Sequence, residues 1–396
     1  MRILHTSDWH LGRSFHSSSL HAYHEQYIAE LVEYCQREKV DILLVAGDVY
    51  DSSTPSIQTV DLLSGALTQL SHAGVQVVLS AGNHDSAKRL GYGSELFSVA
   101  GVHLRTDYTR AWEPVILSAG EQSVAIYAIP YLSPRYVASQ LNVAGTHEAV
   151  LYEIMERVRA NIAARAEAGD SAPSIVLSHA TVSASGSFDP ANRSDAEQSI
   201  TIGGVDMVPA SVFDGADYVA LGHIHKRYAV TDTIRYSGSP IAFSFSEETY
   251  RHGGYLIDIE HGQLSVQDVL WETRVPIKTL IGTLDDLLSN PEYTEYESGY
   301  FCRLIVRQEE RPAHAYDRLR ERFEQISDFR FESTLEAAPR SVQARSRVET
   351  TDPMDMCEEF MEHMRSRRLA PEEKEILNDI LDSVLHAEPA DTRKEA

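Results

Sequence analysis

The chain has 396 residues, 43% of them hydrophobic, which suffices for a large cored domain with appended units. Its 59 acidic against 35 basic residues give a formal net charge of −24, which excludes holding a polyanion through overall charge alone. Cys35, Cys302 and Cys357 are scattered and include no Cys-x-x-Cys pair, so no zinc or redox centre is expected of them and a reducing compartment is.

From Met1 to about Glu272, short apolar runs alternate with longer amphipathic stretches, as in a layered α/β protein. Residues 2–6, 41–46, 76–80, 124–129 and 174–177 read as buried strands. A helix is expected over 23–37, where Tyr27, Ile28, Leu31, Val32 and Cys35 recur at helical spacing, and another over 57–70. Asp8, Asp48, Asn83 and His179 then fall just past the C-terminal ends of strands, where open α/β sheets hold ligands. Residues 218–221 form a further strand leading into Gly222-His223-Ile224-His225, and 235–244 read as strand and turn.

These segments make up a catalytic domain over 1–272. A compact unit follows over 273–335, with a helix near Asp285, a strand over 300–306, a helix over 313–326 and a last strand near Phe329, suited to cap an active site. Residues 336–352 are polar and aperiodic and read as a linker. Two amphipathic helices are expected over 353–387, one carrying Cys357, Phe360, Met361 and Met364, the other Leu377, Ile380, Leu381 and Val384 behind Pro371. Their apolar faces either fold back on the main body or dock on another protein's helices. Residues 388–396 are expected to be a disordered tail. Met1 runs directly into a strand-like segment and no stretch has the apolar length of a membrane span, so neither export nor membrane anchoring is expected.

Asp, Asn and His in this mixture suit hard divalent ions, Mn²⁺ above all, with Mg²⁺ also compatible and zinc or iron not excluded. The simplest arrangement lets Asp48 bridge two ions, with Asp8, His10 and His225 completing one site and Asn83, His179 and His223 the other. Such a pair clamps an attacking hydroxide and a phosphate together, the chemistry of a metal-dependent phosphoesterase. His84 is left over as the candidate catalytic residue, to protonate a leaving oxygen or steady the charge on phosphorus. Asp51 and Asp85 are candidates for orienting it or the neighbouring ligands, although acidic loop residues are more often caps or turn formers. Arg13 is a candidate phosphate contact, although a surface arginine is the commoner case. Asp-x-His, Gly-Asp or a lone histidine would each be a common accident; all five pieces in order at successive strand ends are not.

The same residues resemble the calcineurin-like metallophosphoesterase superfamily over about two-thirds of the chain. Within it, His5-Thr6-Ser7-Asp8-Trp9-His10-Leu11-Gly12, Ala46-Gly47-Asp48-Val49-Tyr50-Asp51, Ala81-Gly82-Asn83-His84-Asp85-Ser86, Ala220-Leu221-Gly222-His223-Ile224-His225 and Tyr236-Ser237-Gly238-Ser239-Pro240 look like the SbcD family of bacterial nuclease subunits. That resemblance implies a four-layered α/β core of two mixed β-sheets flanked by helices, with a small α+β capping domain and a C-terminal helical segment that binds an SbcC-type ATPase. It implies Mn²⁺-dependent DNA cleavage, 3′ to 5′ at duplex ends and endonucleolytic at hairpins or blocked ends, in DNA repair and recombination, with the same ligand scheme and with His84 catalytic. It also implies a cytoplasmic, nucleoid-associated heterotetramer built on a homodimer, whose contact helices would lie near 57–70 and 88–99. No Gly-x-x-x-x-Gly-Lys-Ser/Thr loop is present, so ATP dependence would come from the partner. The rival reading is a free-standing phosphodiesterase or phosphatase acting on a nucleotide or small phosphoester, which the acidic charge favours. A third is a non-catalytic scaffold subunit, which the complete ligand set disfavours.

Overall fold

A computed structural model describes residues 1–184, 194–195, 207–335, 370–371, 373–374 and 376–378. The chain divides into two compact units, Met1–Ser333 and Thr334–Ala396. The expected linker, the first of the paired helices and the tail lie outside the described residues, as does most of the second helix, of which Pro371, Glu373, Lys374 and residues 376–378 are described and are helical.

The first unit is built on two mixed six-stranded sheets. In one, β1 (Arg2–Thr6), β4 (Ile42–Ala46), β5 (Gln76–Ser80) and β6 (Val102–Arg105) run parallel as successive neighbours, and β15 (Gly253–Glu260) and β16 (Gln263–Leu270) add antiparallel at the β1 edge. In the other, β8 (Gln122–Ile129), β9 (Ser174–His179), β12 (Tyr218–Gly222) and β14 (Ile234–Tyr236) are the parallel centre. Antiparallel β7 (Val115–Ala119) and β13 (Tyr228–Ala229) form its edges. Two short pairs, β2 (Ser14–Phe15) with β3 (Ser18–Ser19) and β10 (Thr181–Ser183) with β11 (Met207–Pro209), lie outside the sheets.

Strand side chains alternate between faces, and the three cores follow from that alternation. Ile3, Ile42 and Leu44 meet Ile126, Ile175 and Ala220 between the two sheets. Their chain neighbours Leu4, Leu43 and Val45 point the other way, into a core shared with α1 (His21–Glu38) and α2 (Ile57–His72). On the second sheet Tyr127, Val176 and Leu221 pack with residues of α5 (Pro134–Leu141) and α6 (His147–Glu167). The two large sheets of this first unit thus form the four-layered α/β arrangement, helices outside and two sheets within. No described helix is long and apolar enough to cross a membrane.

After Trp271, β17 (Ile277–Gly282), α7 (Leu284–Ser289), β18 (Phe301–Gln308), α8 (Ala315–Arg320) and β19 (Ile326–Ser333) form a parallel three-stranded sheet with its own core of Leu280, Leu287, Leu304, Leu319 and Phe323. Thr283 and Asp286 close a reciprocal capping box at the start of α7. The helix expected over 313–326 is only six residues long, because Ile326 is already paired with Cys302 in the sheet. Between α8 and that strand Phe323 turns into the core, so non-local pairing overrides local helical pattern. Strand β6 and the 21-residue α6 are not among the expected elements.

Candidate metal centre

Each candidate ligand sits on, or just beyond, the C-terminal end of a parallel strand. β1 leads to Asp8 and His10, β4 to Asp48, β5 to Asn83 and His84, and β12 to His223 and His225, while β9 ends on His179 itself. β1, β4 and β5 are adjacent in one sheet and β9 and β12 in the other. The turns are strained: Asp8, His10 and Asp48 have φ of 52°, 42° and 46°, and His223 has 100°. Positive φ costs a non-glycine residue roughly 1–3 kcal/mol, and such strain persists where the surroundings impose it. Two glycines let the sheets approach. A Cβ at Gly47, itself at φ +82°, would lie 2.3 Å from His179 Nδ1, and one at Gly222 would lie 1.9 Å from the Ala46 carbonyl oxygen.

The seven side chains converge. His10 Nε2 lies 3.2 Å from His225 Nε2 and 3.6 Å from Asp48 Oδ2. His179 Nε2 lies 3.2 Å from Asp48 Oδ2 and 3.0 Å from Asn83 Oδ1, and His223 Nδ1 approaches the same Asn83 oxygen at 3.0 Å. Asp8 accepts the His223 main-chain N–H at 2.9 Å, and its carboxylate groups within 4.8 Å both with His10 and His225 and with Asp48 and His179.

This donor set fits divalent cations. His179 Nδ1 faces the Ala46 carbonyl at 2.9 Å and so carries the proton, which turns the Nε2 lone pair toward two oxygen acceptors. His225 repeats the pattern: Nδ1 is 3.0 Å from Glu247 Oε1, and Nε2 is left facing His10. Opposed lone pairs at these separations call for positive charge among them. Asp8 and Asp48 are 0% and 2% exposed, and among the described residues no lysine or arginine pairs with either. Buried carboxylates without a counter-charge are costly. In the bare protein, burial would lower the His179 imidazolium, but Asp48 and Asp8 outweigh it and lift the group to about 9. Burial likewise opposes the Asp48 charge, yet His179, His10 and His84 hold its carboxyl well below the usual range. A proton on His179 there does the neutralising that a metal ion would do.

His84 stands at the edge of this cluster, its side chain 26% exposed where the candidate ligand histidines are buried. Its main-chain N–H donates to Asp48 Oδ1 at 2.9 Å, and its ring Nδ1 donates to the Asp51 carbonyl at 2.9 Å, leaving Nε2 as the remaining ring nitrogen. The Asp51 carboxylate lies 3.3 Å from His10 Nδ1 and accepts Arg13 Nη1 at 2.8 Å. Burial pushes that carboxyl up, but the contact with His10 and the charge of Arg13 prevail and hold it at about 2. Asp85 accepts the main-chain N–H groups of Val49, Tyr50 and Gly82, and so ties the Asp48 loop to the Asn83 loop beside His84. Arg13, besides its bond to Asp51, lies over the Phe243 ring at 5.2 Å and forms part of the site wall.

Glu247 is the site residue that sequence reasoning missed. It is 1% exposed, bonded to His225, and burial is outweighed by His225 so that its carboxyl sits at about 2. Nothing in Ser244-Phe245-Ser246-Glu247 has a ligand spacing; the one general hint is that ligand histidines recruit a carboxylate or carbonyl behind them.

A family description, calcineurin-like phosphoesterase, matches residues 1–227, more than half of the chain. The chain belongs to that family and is a metal-dependent hydrolase. More narrowly, it is 29% identical over 311 residues to the SbcD component of the SbcCD nuclease of Staphylococcus epidermidis, covering 76% of this chain and 78% of that protein, and is SbcD-like. Among solved structures, a dimetal phosphatase from Danio rerio matches at 13% identity and TM-score 0.42 over 68% of this chain and 96% of that one. TT1561 of Thermus thermophilus matches at 13% and 0.37 over 67% and 98%.

Proposed function

We propose that this protein is a two-metal DNA nuclease, Mn²⁺-dependent, that degrades duplex ends 3′ to 5′, cuts hairpins and blocked ends, and works with an SbcC-type ATPase in DNA repair and recombination. The observation that carries the reading is the convergence of seven ligand side chains and His84 at adjoining strand ends. Two divalent ions bound there supply Lewis-acid stabilisation of phosphate charge and a nucleophile from water at neutral pH. Asp48, which lies between His10 and His179, would be shared by both ions, with Asp8, His10 and His225 holding one and Asn83, His179 and His223 the other. His84, steadied at Nδ1, presents Nε2 to the leaving oxygen.

The relative named as a component of SbcCD supports DNA as substrate and an ATPase as partner. In this reading the sheet over 277–333 caps the site, and residues 353–387 dock on the ATPase through their apolar faces. Ile57, Tyr92, Leu96 and Val99, each at least 80% exposed around α2, α3 (Ala87–Leu90) and α4 (Ser94–Val99), support a homodimer through those helices. The net charge of −24 favours the rival, a small-phosphoester enzyme, unless metals and partner supply the positive field.

The two separate on substrate. With Mn²⁺ and the ATPase, the expected result is cleavage of linear duplex and hairpin DNA; rapid hydrolysis of a cyclic nucleotide with intact DNA would establish the rival. Deleting the residues after Thr351 should abolish ATPase binding while basal hydrolysis survives, and tight binding by the truncated chain would refute the docking role.

A further inference from the structure

The 3₁₀ turn Phe245–Glu247 lies between the metal centre and the small sheet. On one side, Glu247 Oε1 is 3.0 Å from His225 Nδ1, and its Oε2 accepts the Phe243 N–H at 2.8 Å. On the other, the next residue, Glu248, accepts the Lys278 ammonium at 2.9 Å through Oε1 and the Thr279 N–H at 2.9 Å through Oε2, both donors on β17. Phe245 packs against Phe15 at 4.9 Å between ring centroids, and the Arg303 guanidinium of β18 lies over its ring at 4.5 Å. The two carboxylates are carried by one short turn, so a displacement of its backbone shifts both.

We propose that Glu247 is a positioning residue for His225, and that its turn ties this ligand to the small sheet, so that shifting the sheet changes how tightly the centre holds its ion. The inference rests on the reading of His225 as a metal ligand. A carboxylate behind the imidazole fixes the Nδ1–H tautomer and the ring plane, and makes Nε2 a stronger donor; losing such a partner typically weakens metal binding 10–100-fold. Glu248 acts one step removed, through the placement of Glu247.

The test is calorimetric titration of the full chain with Mn²⁺ alone, together with thermal melts in EDTA, for wild type, His225→Ala, Glu247→Ala, Glu247→Gln, Glu248→Gln and Lys278→Met. Both Glu247 variants are expected to bind Mn²⁺ roughly 10–100-fold more weakly. Glu248→Gln and Lys278→Met should each lose part of that factor, and Glu247→Gln combined with Lys278→Met should lose less than the two losses multiplied. Unchanged Mn²⁺ affinity in the Glu247 variants, with only the EDTA melts lowered, would reduce Glu247 to a structural residue and overturn the proposal. Weakening confined to the Glu247 variants would overturn the tie to the sheet. Wild-type binding by His225→Ala would defeat the ligand reading and this inference with it. If Glu247→Ala does not fold, the isosteric Glu247→Gln decides.

Discussion

At the His84 ring, Nδ1 is committed to the Asp51 carbonyl, so any role toward substrate falls to Nε2. His84→Ala should therefore lower kcat by about 10²–10⁴-fold while Mn²⁺ affinity stays at the wild-type value, since general acid–base groups contribute on that scale. Turnover measured beside calorimetry checks both halves. A second residue-scale expectation concerns His5, buried between Tyr218 and the Leu221 carbonyl, whose imidazolium is lowered by burial to about 3. Between pH 6.5 and 3 the unfolded chain takes up a proton there and the folded one does not, so stability present above pH 6.5 is lost as pH falls through that window. Melts in EDTA should fall with pH less steeply for His5→Gln than for wild type; coincident slopes would contradict the assignment. The candidate ligands and His84 could be picked out in sequence because five short motifs coincided, and the structure brings them together. Glu247 was not, since a carboxylate supporting a ligand follows no spacing rule and is found through distance alone.

At the scale of elements, glycines separate what the site requires from what it tolerates. Gly222→Ala would drive a methyl to 1.9 Å from the Ala46 carbonyl and should destabilise by at least the roughly 1–3 kcal/mol typical of overpacking. Gly65, within α2, has nothing within 4 Å of a built Cβ, so Gly65→Ala should stabilise by about 0.5–1 kcal/mol. Denaturant unfolding of the two variants gives opposite signs if the strand-end geometry is right. β1, β4, β5, β9 and β12 were readable as apolar runs because both their faces are buried. α8 was overread for the opposite reason: its helical pattern continues into residues that a neighbouring strand claims. α6 carries Val150, Leu151, Ile154, Met155 and Val158 on one face behind a Thr146 cap, a signal present in the sequence that the expected elements did not include.

For the whole molecule, a strongly acidic chain proposed to cut a polyanion must gain positive charge from bound metal and from its partner. If the exposed apolar side chains on α4 are a dimer face, Leu96→Glu should convert a dimer to a monomer in sedimentation with basal hydrolysis unchanged; a wild-type chain that sediments as a monomer at all concentrations would contradict it. The sheet topology was not readable from the sequence, because the order of strands is fixed by long-range pairing such as β1 with β15. The central claim, that the converging Asp, Asn and His side chains hold metals that cut DNA, is tested most directly by cleavage of an end-labelled linear duplex during titration with Mn²⁺, comparing wild type with Asp48→Ala in the presence of the ATPase. Mn²⁺-dependent cleavage by wild type, abolished by EDTA and absent in Asp48→Ala, is the expected result; an intact duplex at every Mn²⁺ concentration, or equal cleavage by Asp48→Ala, would contradict it.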